Sequence, residues 1–467
     1  MRSTGEAGRR LVFDIPAAGA LESAPIMARA DRTRPFWSPD LETLDRASLE
    51  RLQVARLQKT LRRAARSPHY RRVFKAAGFD PKSFSSLAEL PRLPFTVKDD
   101  LRSDANFPYG LLTVGRDKLV RLHSSSGTTG RPTAVFHTRR DLAAWTDLIA
   151  RSLWMIGMRP GDVFQNMMGY GLFTGGLGLH YGSEHLGALT IPAGAGNSRR
   201  QISLMKDFGT TVLHIIPSYA LRLIDTFRDV GEDPRGLKLR LAVLGAEPHS
   251  DAARKRIEEL FGIRAYNCYG LSELNGPAVA FECPEQDGLH LWEDSYLAEI
   301  VDPESGRQLP DGERGELVLT NLNREGMPLL RYRTRDITAL RAAPCPCGRT
   351  HRRIERITGR TDDMLIVKGV NIYPVQVERV LMRFAELGSD FLIVLSTVNH
   401  LDQFTVRAEL KPDAFRGDLH ALEALCKRIS EELRGEILVS ARVELLEHGS
   451  LPKPEGKAVR VEDSREK

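Results

Sequence analysis

Leucines 49, 52, 57 and 61 recur at roughly helical spacing between Arg46 and Arg66, among many basic residues, which predicts an amphipathic helix. Its apolar stripe suits core or subunit packing, so a homodimer stays open. Its arginine-rich face reads as solvated, because no aromatic or base-reading residue accompanies it. Farther on, Val212 to Ile216, Leu239 to Leu244 and Ile263 to Tyr266 are apolar runs of strand length separated by helical patterns. In one of these patterns Ser250 is placed as an N-cap, Ala252, Ile257 and Leu260 share one face, and Gly262 is the stop. Strand, helix and strand in that order predict a parallel sheet, so the middle of the chain is expected to be α/β. From Glu299 to Leu340 the pattern changes to short strands with Asp-Pro and Asp-Gly turns, as in a small β subdomain. The polar, glycine-led joint Gly359-Arg360-Thr361-Asp362-Asp363 ends that pattern. Beyond it the alternation restarts: a helix from about 374 to 387, strands near 391–396 and 403–410, a helix near 418–434 and a strand at 441–446. That is enough for a small α+β domain. The expected organisation is a flexible tail over 1–35, a large α/β domain over 36–358 and a small domain over 359–467.

Composition narrows the class. A chain of 467 residues exceeds one ordinary core, and 42% hydrophobic with 27% charged residues belongs to a soluble multidomain protein. The 67 basic and 61 acidic side chains leave a net charge of +6, which suits small anions and does not call for nucleic acid. The longest uncharged run, 163 to 183, carries six glycines with Gln, Asn and His, so no membrane span is expected. Arg9-Arg10 ahead of Leu-Val-Phe is broken as a targeting signal by Asp14, Pro16 and Glu22. Five cysteines in so long a chain make no disulfide framework and fit a reducing cytoplasm.

The stretch His123-Ser124-Ser125-Ser126-Gly127-Thr128-Thr129-Gly130-Arg131-Pro132-Thr133 is too rich in hydroxyls and glycines for a helix or strand and reads as a loop. Its glycines let backbone N–H groups turn toward an anion, and its hydroxyls suit phosphate oxygens. Arg131-Pro132 stands where a Walker A loop needs Lys-Ser or Lys-Thr, so P-loop chemistry is disfavoured.

Four further stretches follow in order: Tyr269-Gly270-Leu271-Ser272-Glu273, Tyr332-Arg333-Thr334-Arg335-Asp336, the 359–363 joint with Lys368-Gly369, and Gly456-Lys457-Ala458-Val459-Arg460. The set resembles the adenylate-forming superfamily of acyl-CoA synthetases, adenylation domains and luciferases. Within it, Ser-Ser-Gly-Thr-Thr-Gly-Arg-Pro-Thr, the run Gly169-Tyr170-Gly171-Leu172-Phe173-Thr174-Gly175-Gly176, Tyr-Arg-Thr-Arg-Asp and Ser450-Leu451-Pro452 ahead of Gly-Lys are similar to the phenylacetate-CoA ligase family. The resemblance spans roughly residues 36 to 462. It implies a large adenylate-forming α/β domain with a small mobile C-terminal domain, using ATP, Mg²⁺ and coenzyme A to turn a carboxylic acid into acyl-AMP and then acyl-CoA. Both steps build negative charge on oxygens, which calls for preorganised cations and N–H donors.

By the same resemblance, Ser125, Ser126, Gly127, Thr128, Thr129 and Gly130 hold the pyrophosphate end of ATP, and Tyr269, Gly270 and Ser272 border the nucleotide. Glu273 helps to hold Mg²⁺, Asp336 takes the ribose hydroxyls, and Arg360 lies beside the nucleotide. Gly245, Ala246, Glu247 and Pro248 line the adenine. Lys457 is implied as the catalytic lysine of the first step, Asp362 as the hinge, and Gly369, Asn371 and Tyr373 as the border of the coenzyme A path. Tyr170, Phe173, Gly175 and Gly176 are expected in the wall of the acid pocket, where several glycines leave room for a flat ring, so a small aromatic acid is the expected substrate. Thr133 and Arg335 depart from much of the superfamily, which has Lys and Gly there, and suit the phenylacetate-type branch.

A separate signal is Cys283-x6-His290 with Cys345-Pro346-Cys347, four soft or imidazole ligands, the number that structural zinc wants. Cys268 and Cys426 read as packing. A stand-alone adenylation enzyme loading a carrier protein shares every motif. A non-catalytic nucleotide-binding relative would not need Glu273, Asp336, Arg360 and Lys457 together, and no nucleic-acid module is recognisable.

Overall fold

Five parallel strands form one half of the principal sheet, in the spatial order Leu189–Ile191, Val163–Asn166, Val212–Ile215, Leu241–Leu244 and Arg264–Tyr269. Four antiparallel strands extend it: Ala280–Glu282, Leu289–Leu291, Arg353–Ile354 and Leu340–Arg341. The central strands are buried along their whole length, as expected where helices cover both faces of a parallel sheet. The computed structural model describes residues 33–125, 131–367, 370–398, 401–412, 414, 418–452 and 458–465. Residues 1–32 of the expected tail lie outside this set.

The first predicted helix runs Arg46–Ala64 and buries Leu49, Leu57 and Leu61. The three apolar runs become the strands Val212–Ile215, Leu241–Leu244 and Arg264–Tyr269, the first two shorter than expected and the third carried three residues farther. Ser250 caps the helix Asp251–Phe261 by accepting from Ala253 N, and Gly262 ends it in the left-handed conformation. The buried seam of that helix is Ala253, Ile257 and Phe261, with Ala252 and Leu260 only half-buried. Helices Arg139–Met155 and Thr174–Leu186 pack unusually closely. A Cβ on Gly178 would stand 2.5 Å from the Trp145 ring, and one on Gly182 would stand 2.0 Å from Ile149.

Next comes the small β unit, an antiparallel sheet of Tyr296–Val301, Gly315–Asn321, Tyr332–Thr338 and Gly359–Arg360. The C-terminal region has its own core, running from Leu365 to Ala441. Its sheet order is Arg442–Leu446, Leu401–Leu410, Leu387–Val398 and Val461–Asp463, flanked by helices Pro374–Leu381 and Leu419–Ile437. The helix expected to reach 387 stops at Leu381, because Leu387 already pairs with Leu410 in the sheet. The hairpin Leu365–Val367 with Val370–Ile372 and the last strand carried no periodic signal long enough to be foreseen. Among the described residues, no helix is long and apolar enough to cross a membrane.

Candidate active site

The loops that follow the parallel strands leave from the carboxyl edge of the sheet, where open α/β sheets bind ligands. Gly245–Ser250 follows Leu241–Leu244, Gly270–Glu273 follows Arg264–Tyr269, and the glycine-rich run from 169 follows Val163–Asn166. Two backbone segments nearly touch at the second loop: a Cβ on Gly270 would lie 2.3 Å from the Gly276 Cα, so only glycine fits.

At the centre is the Asp336 carboxylate. Tyr269 Oη donates to its Oδ2 at 2.5 Å, and Arg360 Nη1 approaches its Oδ1 at 3.3 Å. Register explains the meeting, because Asp336 and Arg360 are direct partners on neighbouring strands. Burial pushes the Asp336 carboxyl up to about 6 against the opposing pull of Arg360, so it is ionised chiefly above that pH. Arg360 also grips Asp362, Nε to Oδ1 at 2.9 Å and Nη2 to Oδ2 at 3.1 Å, and Arg335 Nη1 reaches the same carboxylate at 3.3 Å. Burial alone would lower the Arg360 guanidinium, but the bond to Asp362 and the charge of Asp336 outweigh it and hold it firmly charged. One hydrogen-bonded group thus joins the expected ribose anchor, the nucleotide cation and the hinge residue.

Glu273 lies in the turn Ser272–Leu274, buried, with Thr133 Oγ1 donating to its Oε1 at 3.3 Å. It has no ion-pair partner among the described residues, and a buried carboxylate without one fits a divalent ion. Arg324, fully buried, donates to the Glu273 carbonyl at 2.6 Å and to Phe136 O at 3.0 Å, which holds the turn against the strand Ala134–Thr138. Ser125 and Thr133 close the base of the hydroxyl-rich loop reciprocally, Ser125 N to Thr133 Oγ1 and Thr133 N to Ser125 Oγ, both 3.3 Å. Ser126, Gly127, Thr128, Thr129, Gly130, Lys368, Gly369 and Lys457 lie outside the described residues. Nothing in local sequence flags Arg324, and Thr133 stands out there only as a departure from the superfamily's lysine, not as a partner of Glu273.

The expected acid-pocket run is tied to the same loop, since Leu172 O accepts from Ser124 N and His123 Nδ1, each at 3.0 Å. Asn166 Nδ2 donates to Gly176 O at 2.7 Å and so holds the start of helix Thr174–Leu186. Tyr170 meets His180 edge-on, its hydroxyl 3.2 Å from Nδ1, and burial pushes its phenol up to about 12. Phe173 is half exposed just before the helix, and a Cβ on Gly175 would meet open space. His180 was not foreseen. Asn371 is exposed on its hairpin, and Tyr373 N bonds Gln376 at the start of Pro374–Leu381. Ala246 has φ of 72°, and the Glu247 carboxylate, expected only beside adenine, accepts from Ser218 N at 2.7 Å and Ala458 N at 3.3 Å.

Cys283, His290, Cys345 and Cys347 bring their ligand atoms within 4.8 Å of one another. Cys283 Sγ lies 3.6 Å from Cys345 Sγ, and Cys347 Sγ lies 3.3 Å from His290 Nε2. His290 Nδ1 meets the His351 carbonyl at 3.1 Å, an outer contact that leaves Nε2 turned to the thiols. The hydrogen bond between Cys283 and Cys347 pushes the first thiol up and the second well down, aided there by His290. Three cysteines and one outward-anchored imidazole fit a tetrahedral zinc.

Comparison with known proteins bears on the family and the fold. Residues 88–323 match the family model described as AMP-binding enzyme, and 369–465 match that described as AMP-binding enzyme C-terminal domain. A phenylacetate-coenzyme A ligase of Thermus thermophilus is 46% identical over 446 residues, which cover 92% of this chain and 100% of that protein. Among solved structures, 2-hydroxyisobutyryl-CoA ligase in the postadenylation state with 2-HIB-AMP superposes with a TM-score of 0.89, at 30% identity over 94% of both chains. The same enzyme in the thioesterification state, with 2-HIB-AMP and CoA, gives 0.70 at 31% identity over 95% of both.

Proposed function

This chain belongs to the phenylacetate-CoA ligase family of AMP-binding, adenylate-forming enzymes, and from that premise we propose the acid it takes and the residues that carry its two steps. It is an ATP-dependent aryl- or arylacetate-CoA ligase that makes acyl-AMP and pyrophosphate, then acyl-CoA and AMP. The acyl acceptor is coenzyme A itself, in preference to a carrier protein.

The observation that carries the residue assignment is the Asp336 group, where Tyr269, Arg360 and Asp362 meet on one carboxylate system. Asp336 takes the ribose hydroxyls with two oxygens, and the Arg360 guanidinium, held charged, stands beside the phosphate side of the nucleotide. Ser125 and the following loop to Gly130 hold the departing pyrophosphate. Glu273, steadied by Thr133 and by Arg324 on its carbonyl, would hold Mg²⁺, whose charge offsets that building on the phosphates. Lys457 bridges the carboxylate and the α-phosphate during attack and leaves with its domain, as a flexible point charge can. Asn371 and Tyr373, with Gly369, border the thiol's approach once that domain has turned about Asp362. The pose is nearer the relative's postadenylation state than its thioesterification state, by 0.89 against 0.70 in TM-score.

The Tyr170 and Phe173 aromatic run, opened by Gly175, favours a compact planar acid. In a panel of phenylacetate, hydroxylated phenylacetates, benzoates, anthranilate, acetate and palmitate, the aromatic acids should drive ATP–pyrophosphate exchange far better than the aliphatic ones. A preference for palmitate would refute the assignment.

Zinc at Cys283, His290, Cys345 and Cys347 would staple the 283–290 turn to the 345–351 loop. Purified protein should carry about one zinc per chain, and Cys345→Ser should lose it together with thermal stability. Fully stable metal-free protein would sink the site.

A further inference from the structure

The loop between Gly245 and Ser250 is held from both domains at once. Glu247, on the large domain, uses one carboxylate oxygen to take Ser218 N at the start of helix Pro217–Asp229 and the other to take Ala458 N, one residue past Lys457. Three residues farther on, Ser250 N donates to Glu378 Oε2 at 2.7 Å, and Glu378 belongs to the C-terminal helix Pro374–Leu381. Each domain therefore lends a carboxylate to a backbone amide of the other. Glu378 is buried and accepts from that amide, with Arg460 and Glu247 as the charges that face it. Ser250 already caps helix Asp251–Phe261 with its hydroxyl, so Glu378 completes the cap from across the interface. On the same helix, Arg256 Nη2 donates to Leu387 O at 2.9 Å.

From this arrangement we infer that Glu247 and Glu378 form a reciprocal clasp that couples the seating of the C-terminal domain to the shape of the loop beside the nucleotide. Glu378 is thus a positioning residue for acyl-AMP formation. The inference rests on the two-pose reading above, in which the domain bearing Lys457 is seated for the first step and turned away for the second. Only contacts that differ between two states can shift their balance. Both clasp bonds exist only when the C-terminal domain is seated, whereas the Ser218 bond to Glu247 lies within the large domain and biases neither pose. A seated domain orders the 245–250 loop, and an ordered loop favours seating.

The test separates the half-reactions. Acyl-AMP formation is read as pyrophosphate release in a single turnover without coenzyme A, and transfer is read as acyl-CoA made from supplied acyl-AMP. Glu378→Ala should slow the first by about tenfold or more, the usual consequence of losing a hydrogen bond to a charged group, and leave the second within about twofold. Glu378→Gln, whose amide oxygen still accepts from Ser250, should recover most of the loss. Amide exchange at Ser250 should quicken in the alanine variant and not in the glutamine one. Combining Glu247→Ala with Glu378→Ala should cost less than the product of the single effects, since either alone opens the clasp. A folded Glu378→Ala protein that slows both half-reactions equally, or neither, overturns the clasp alone. Wild-type protein that releases no pyrophosphate with any acid overturns the ligase reading and the clasp with it.

Discussion

Replacing Lys457 with Ala should slow acyl-AMP formation by about a hundredfold or more, the usual size of losing one group that stabilises developing charge, while acyl-CoA is still made from supplied acyl-AMP. The flanks of Lys457 support the split. On one side, Gly449 N and Leu451 N are anchored on Glu409 at 2.8 and 2.6 Å, within the C-terminal domain. On the other, Ala458 N reaches Glu247 on the large domain at 3.3 Å. In the proposed two-step cycle, a turn of the C-terminal domain would part Ala458 from Glu247 and carry Lys457 away from the α-phosphate. Equal depression of both half-reactions would overturn the role given to Lys457.

Asp362→Pro should do the opposite, sparing acyl-AMP formation and abolishing transfer to coenzyme A. Proline fixes φ near −65° and would hold the joint in one pose. The substitution also removes the carboxylate gripped by Arg360 and Arg335, so Asp362→Ala is the control. That variant loses the same ion pairs and keeps a rotatable backbone, and it should therefore transfer far better than the proline protein. Because Arg335 and Asp362 are both partly exposed to solvent, their pair adds little on its own. Equal transfer by the two variants would remove Asp362 as the pivot.

Fold and site differ in how much of each the sequence made legible. The parallel strands could be read because apolar runs of strand length alternate with a capped, glycine-stopped helix, and each of those signals is local. The extent of the helix from Pro374 could not, since Leu387 is claimed by a partner strand more than twenty residues away, and tertiary pairing overrides local pattern. In the site, Glu273, Asp336 and Arg360 could be singled out because they stand in motifs that resemble a known family, and the structure brings Asp336 and Arg360 together on neighbouring strands. Arg324, His180 and Glu378 were not. A single arginine, histidine or glutamate carries no local pattern, and what gives each its place is a carbonyl, a phenol or an amide supplied from a distant part of the chain.

The helix that begins beside the proposed acid-pocket run is pressed onto its neighbour through Gly178 and Gly182, where even a methyl group would overlap Trp145 and Ile149. For anyone redesigning the enzyme for bulkier acids, that helix is a poor place to start. Alanine at either glycine would shift the wall as a whole, and the loss would fall on the fold before it reached selectivity. Tyr170 and Phe173 sit ahead of this packed zone, one edge-on to a histidine and the other half open to solvent, so they can change shape without moving the scaffold. Variation in acid preference between relatives should accordingly concentrate at such positions and spare the glycines.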